Sequence, residues 1–345
     1  MTREKADSRG PESFQRVGII GAGSWGTALA LLLDEKGLDV TVWGHDSAHI
    51  AKVEAARENP AYLPDVALPE QIRFTSDLRA VSNVEFLLLV TPSKAIREVA
   101  DRLSKTHLSD DIVLLSCTKG VESGTGLRMS EILAEYFPKN PIAALSGPSH
   151  AEEVACGMPT ALVLGCKDAV LGHRLQEAFS TRNFRAYTND DVPGVELGGA
   201  LKNIFALAAG VSDGLGLGDN SKAALVTRSL AELVRLGTAL GGRRETFQGL
   251  SGIGDLIVTC FSRHSRNRAV GERLGRGQRL ETITASMNMV AEGVPTTYSA
   301  YECARRHGVE TPIIDQMRQL LDGQISARKA LTALLMREPK SENDG

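Results

Sequence analysis

Residues 21–26 read Gly-Ala-Gly-Ser-Trp-Gly, and the spacing of the three glycines gives each a distinct task. Gly21 permits a tight turn out of a strand, Gly23 lets backbone approach a pyrophosphate, and Gly26 lets the following helix pack close to the strand. Ser24 and Trp25 lie between them, at the start of that helix, where free N–H groups and the helix dipole favour an anion. The apolar run 17–20 precedes the turn. A helix-like stretch, 27–33, follows it, and a second strand, 39–43, completes a βαβ unit. In that setting the motif predicts a dinucleotide site.

The tip of the second strand bears on which dinucleotide. Trp43 closes the strand and Gly44 stands where an NAD-selective site places an acid to hold the ribose 2′-hydroxyl. With no carboxylate there, a 2′-phosphate is not repelled, and His45 is placed to hydrogen-bond it. Two other readings of this segment stand beside that one. Asp46, about 20 residues beyond Gly26, is placed as a ribose ligand; or His45 and Asp46 simply cap the next helix. The expected cofactor is NADPH or NADH, with NADPH favoured.

Two lysines and an acid are candidates for the chemistry. Lys119 follows the apolar strand 112–116, so its ammonium points into the crevice beyond the carboxyl ends of the strands, where a phosphate or a carbonyl would sit. A solvent-facing turn lysine is the alternative. Lys202 lies in an otherwise apolar helix, after Gly198-Gly199-Ala200-Leu201 and before Asn203. Desolvation there lowers its pKa and suits it to exchange a proton with an alcohol or carbonyl oxygen, while Asn203 positions the same substrate. Asp255, in Gly252-Ile253-Gly254-Asp255-Leu256, either orients Lys202 or caps a helix. Arg266, in Ser265-Arg266-Asn267-Arg268, either binds a phosphate in bidentate fashion or belongs to a solvated basic turn. Glu292 is an isolated acid before a glycine, to which residue chemistry assigns no role.

These residues need a frame. The first half alternates strands (72–74, 84–90, 112–116, 142–145, 160–164) with helical patterns and a Pro-bearing loop at 59–64. That predicts an α/β fold, a Rossmann-like, mainly parallel, doubly wound sheet. Beyond the charged turn cluster 190–194, helices at 195–209, 221–240, 265–274, 296–307 and 312–321 predict an all-α C-terminal domain. The expected division is a disordered tail at 1–15, a dinucleotide-binding domain at 16–190, a helical substrate domain at 191–337 and a loose tail at 338–345. A 345-residue chain is long enough for two such cores.

The net charge of −3 gives no electrostatic case for nucleic acid or an anionic membrane. The apolar run 86–90 is too short to span a bilayer, and the polar start shows no signal peptide. Five cysteines without a CxxC suit a reducing cytoplasm and argue against structural zinc. A catalytic thiol at Cys117 or Cys260 competes with the plainer reading of buried structural cysteine.

Taken together, the segments 21–26, 43–46, 118–120, 146–149, 198–203, 252–256, 265–268 and 292–293 resemble the bacterial-type NAD(P)-dependent glycerol-3-phosphate dehydrogenases, over residues 17 to about 330. The resemblance implies interconversion of dihydroxyacetone phosphate and sn-glycerol 3-phosphate, the latter for phospholipid synthesis. It implies Lys202 as proton donor and acceptor. Lys119, Gly147, Ser149, Asp255, Ser265, Arg266 and Asn267 become substrate contacts, with Lys119 and Arg266 also near the cofactor. Ser24, Trp25, His45, Ala151, Val290 and Glu292 become cofactor contacts. Trp25 stands where another aromatic is frequent, Ser149 where Thr is also common, and the loop after Gly293 differs from some relatives. A homodimer is expected by analogy alone. Two rivals remain: a dehydrogenase of 3-hydroxy acids, and a nucleotide sensor that kept the fold without the chemistry.

Overall fold

A computed structural model describes residues 14–287, 289–338 and 341. Its N-terminal half is built on ten strands: β1 (Arg16–Ile20), β2 (Asp39–Trp43), β3 (Glu58–Asn59), β4 (Leu63–Ala67), β5 (Arg73–Thr75), β6 (Phe86–Leu89), β7 (Val113–Ser116), β8 (Ile142–Ser146), β9 (Thr160–Gly165) and β10 (Phe184–Asn189). Eight form one sheet in the order β10-β9-β8-β7-β6-β1-β2-β5. Every neighbouring pair is parallel except β8 with β9. All residues of β6 and β7 are buried, as strands covered on both faces must be. The covering helices are α1 (Ser24–Glu35), α2 (Ser47–Ala56), α3 (Ile96–Ser104), α4 (Met129–Tyr136), α5 (Ala151–Ala155) and α6 (Ala169–Phe179). Reversal of strand order about β1 opens a crevice beyond the ends of β1 and β6, where such sheets bind ligands.

The second half is helical: α7 (Val192–Gly214), α8 (Gly218–Ala239), α9 (Arg244–Phe247), α10 (Asp255–Phe261), α11 (Arg266–Gly275), α12 (Leu280–Ala285), α13 (Gly293–His307), α14 (Pro312–Leu321) and α15 (Ala327–Leu335). The long helix α7 is its axis. It is long and apolar enough to cross a membrane, yet its most apolar stretch is wholly buried by the rest of the chain. Its first turn, through Val192 and Val195, packs on Ala144 of β8 and Val163 of β9, which seats the helical half on the sheet.

The structure corrects the sequence reading in three places. Phe14, assigned to the tail, is buried, its ring 4.7 Å from that of Phe86. The next two residues donate their N–H groups to Glu85 Oε2. Residues 1–13 lie outside the described residues, as does most of the expected C-terminal tail. The loop at 59–64 is part of a small antiparallel pair, β3 with β4. The sheet also has an edge strand, β10, that the sequence reading lacks.

Candidate functional site

The glycine turn is held by sterics. Gly21 has φ +124°, and a Cβ there would meet Val90 O at 2.4 Å, so only glycine fits. A Cβ on Gly26 would fall 1.9 Å from Gly21 O, whereas one on Gly23 would meet nothing within 4 Å. Gly23 therefore faces open space, directly before α1. No side chain caps that helix and its first turn carries no acid. This bare backbone before a positive helix end is a cradle for a pyrophosphate. Behind it, Asn59 Nδ2 donates to Ala22 O at 3.0 Å and to Thr27 Oγ1 at 2.8 Å, tying the turn to β3.

At the tip of β2, a Cβ on Gly44 would sit 2.5 Å from Ile50 Cδ1 and 3.2 Å from the Cβ of Ala22. Gly44 puts no carboxylate there. Asp46 caps α2, its Oδ1 accepting from Ala48 and His49 N–H. His45 is exposed beside it.

The cleft in front of this turn encloses about 320 Å³. Gly23, Ser24, Trp25, Ser149, Ala151, Val290 and Glu292 line it, as do Lys119, Lys202, Ser265, Arg266 and Asn267. Gly21 and Gly26 shape it without lining it. Gly147 contributes through its carbonyl, which accepts from Lys119 Nζ at 2.8 Å.

Asp255 is 1% exposed and lies between two lysines. It starts α10 after a wide π-type turn, residues Leu250–Gly254. Its Oδ1 accepts from Lys202 Nζ at 2.8 Å and its Oδ2 from Lys119 Nζ at 2.6 Å. Its side chain is thus an ion-pair bridge between the two lysines, and the capping alternative falls away. Burial works against the charged carboxyl, but the two ammonium groups outweigh it and hold Asp255 below the usual range. For Lys202 burial dominates. It brings the ammonium down to about 8, opposed by Asp255 and reinforced by Lys119. Small residues one turn earlier set this geometry. A Cβ on Gly199 would meet Ser146 Oγ at 2.1 Å, and one on Gly198 would meet Ser251 O at 2.4 Å. Only glycines let α7 lie that close to β8 and the π-type turn.

Thr259, absent from the sequence reading, joins the cluster. It lies 2.6 Å from Lys202 Nζ and donates to Asp255 O at 2.6 Å. Its signal was available: it is four residues beyond Asp255, hence on the same helix face. Asn203, expected to position substrate, spends its amide oxygen on Asn267 Nδ2 at 2.8 Å and donates to Gly199 O. It pins α7 to α11. Asn267 in turn accepts from Gly293 N.

Arg266 stands at the mouth, exposed, with Nη1 3.2 Å from Val290 O. Glu292 accepts from Ser93 N at 2.9 Å and from Ser93 Oγ at 2.6 Å, clasping the helical half to the sheet half. Cys117 and Cys260 are buried and free; burial pushes the thiol of Cys260 up to about 12 and raises that of Cys117 as well, which disfavours the thiolate in both. Among the described residues no group of three His, Cys, Asp or Glu side chains is arranged to hold a metal.

Residues 16–171 match the family model of the NAD-dependent glycerol-3-phosphate dehydrogenase N-terminus, and residues 191–332 that of its C-terminus. The chain belongs to the NAD-dependent glycerol-3-phosphate dehydrogenase family. It is similar to the glycerol-3-phosphate dehydrogenase [NAD(P)+] of Syntrophotalea carbinolica, at 48% identity over 95% of this chain and 99% of the relative. That of Lysinibacillus sphaericus is 46% identical over 96% and 99%. Among solved structures, the glycerol-3-phosphate dehydrogenase of Coxiella burnetii superposes with a TM-score of 0.91 at 39% identity, over 95% of this chain and 100% of that one. A member of this glycerol-3-phosphate dehydrogenase family is an oxidoreductase that works with NAD(P), and the α/β sheet followed by an all-α half is its fold.

Proposed function

We propose that the chain reversibly reduces dihydroxyacetone phosphate to sn-glycerol 3-phosphate with NAD(P)H, in the cytoplasm, supplying the product for phospholipid synthesis. The observation that carries this is the Lys119–Asp255–Lys202 bridge, set in the wall of the cleft that the glycine turn faces. The open face of Gly23 and the bare start of α1 fit a dinucleotide pyrophosphate. When bound, the nicotinamide supplies or accepts the hydride.

The protein does the rest. Lys202, with its pKa brought to about 8, gives a proton to the oxygen of the reduced carbonyl and takes one back in the reverse direction. Asp255 holds the Lys202 ammonium in place and keeps part of its population charged despite burial. Lys119 places a second positive charge beside the developing alkoxide, where a low-dielectric wall makes it effective. Arg266, Ser265 and the start of α11 hold the phosphate. Trp25, Ala151, Val290 and Glu292 shape the cofactor side of the cleft.

NADPH is favoured over NADH, because Gly44 puts no carboxylate at the tip of β2 and His45 is exposed beside it. Five unpaired cysteines fit a reducing compartment. A homodimer is the assembly suggested by analogy, and sedimentation equilibrium tests it. The decisive experiment is a steady-state assay of dihydroxyacetone phosphate reduction with NADH and NADPH side by side. Turnover with short 3-oxo acids and none with the phosphorylated ketone would overturn the reading in favour of a 3-hydroxy-acid dehydrogenase.

A further inference from the structure

The cleft holds a histidine for which the mechanism above has no use. His150 comes from the sheet half, between Ser149 and the start of α5. Facing it from the helical half is His264, one residue before the Ser265 cap of α11. Their ring centroids are 5.7 Å apart at 49°, and both line the cleft with Lys202 and Arg266. His150 Nε2 is buried and has no hydrogen-bond partner among the described residues. A buried imidazole nitrogen left unpaired costs free energy, and in a ligand cleft the ligand is what repays it.

We infer that His150 donates its Nε2–H to the phosphate of the substrate and closes the phosphate subsite from the sheet side. The inference rests on the proposed phosphorylated ketone. Arg266 is the one guanidinium lining the cleft among the described residues, and it stands in the first turn of α11 beside the Ser265 cap. A helix start plus a guanidinium calls for an anion, and both approach it from one wall. A phosphate has three peripheral oxygens. From the sheet half, His150 brings its ring within 5.7 Å of the His264 ring, beside the start of α11, so its N–H is placed to meet an oxygen of the same anion.

The charge state agrees. Burial lowers the His150 pKa, and Lys202 pushes it the same way against Glu153, Glu152 and Asp255. Both causes favour the neutral ring. A neutral donor adds a hydrogen bond without competing with Lys202 and Lys119 for Asp255.

The test compares substrates with and without the phosphate. His150→Phe keeps a ring and removes the donor, whereas His150→Gln keeps an N–H near the same place. With dihydroxyacetone phosphate, the Phe variant is expected to raise KM about tenfold with kcat within about twofold, and the Gln variant to recover most of the loss. Competitive inhibition by inorganic phosphate should weaken in parallel. The kcat/KM for unphosphorylated dihydroxyacetone and the Kd for NADPH should stay at wild-type values. Equal losses on both substrates, no loss on either, or a raised NADPH Kd would overturn the inference. Should the Phe variant not fold, the wild-type protein decides it: titration with inorganic phosphate should move the His150 Nε2 resonance in a nitrogen-detected NMR experiment, and no movement overturns the assignment. Wild-type enzyme inert toward dihydroxyacetone phosphate would instead sink the proposed function, so the two failures are distinguishable.

Discussion

Lys202 Nζ lies 2.8 Å from Asp255 Oδ1, and the same carboxylate's other oxygen is taken by Lys119. One buried negative charge thus serves two cations, and Lys202 is the one that burial brings into the physiological range, to about 8. The sign of the pH dependence follows. Ketone reduction consumes the protonated lysine, so kcat for reduction is flat below about 8 and falls above it. Alcohol oxidation needs the neutral amine, so its rate rises through the same interval. Asp255 raises the Lys202 pKa, so Asp255→Asn should move both limbs to lower pH by about one unit or more. Removing one member of a buried ionic cluster should also lower stability by about 3–5 kcal/mol. Lys202→Met should cut kcat by a factor of about 10² or more while leaving the NADPH Kd near wild type. Steady-state pH profiles in both directions, with fluorescence titration of NADPH, check all of this. An unshifted limb in Asp255→Asn removes the aspartate from the account.

Gly23 and Gly26 differ in what surrounds them, so their alanine variants should fail differently. Gly26→Ala forces a methyl to within 1.9 Å of Gly21 O; overpacking against backbone should cost about 1–3 kcal/mol or more and lower Tm. Gly23→Ala meets nothing within 4 Å. Its Tm should match wild type while its NADPH Kd rises about tenfold or more, because the methyl occupies the approach of the pyrophosphate. Thermal melts and cofactor titrations on the same preparations distinguish the two. A Gly23→Ala protein that binds NADPH normally argues against this placement.

Those residues were legible because their signals are local. The glycine spacing, the lysine at the end of an apolar strand and the lysine inside an apolar helix each declare themselves within about ten residues. What escaped depends on distant partners or on exposure. β10 alternates buried and exposed positions over Phe184 to Tyr187, since β9 is its one neighbour in the sheet and one of its faces meets solvent. The antiparallel reversal of β9 against β8 leaves no mark in either strand's composition. Asp255 could not be separated from a helix cap in sequence, because the lysine that engages its Oδ2 lies 136 residues away. Asn203 has the right type and place for a substrate contact, yet its amide is engaged by Asn267, 64 residues downstream.

Cofactor choice should turn on His45. Asp46 is committed to the first turn of α2, and Gly44 carries no side chain. His45→Asp places a carboxylate where a 2′-phosphate would lie. The ratio of kcat/KM for NADPH over NADH should fall about tenfold or more, by repulsion of one cofactor and by a new hydrogen bond to the ribose of the other. Asp46→Ala should instead cost about 0.5–2 kcal/mol of stability as a lost cap, with the ratio unchanged. A collapse of NADH use in Asp46→Ala would restore Asp46 as the ribose ligand.

Asn59 should act on the cofactor from behind it. It is fully buried, and its Nδ2 is shared between Ala22 O and Thr27 Oγ1, one partner inside the glycine turn and one in the first turn of α1. Asn59→Ala removes the donor and leaves both acceptors buried without it, at a cost of about 1–3 kcal/mol. Because the bonds lock the turn and not the substrate wall, the NADPH Kd should rise while the KM for dihydroxyacetone phosphate at saturating NADPH stays near wild type. Asn59→Asp keeps the shape but turns a carboxylate oxygen toward the Ala22 carbonyl, which can only accept, and buries a charge, so it should be at least as damaging as Ala. Equal effects on cofactor and substrate would mean that the hairpin of β3 and β4 supports the cleft as a whole, with no particular hold on the turn.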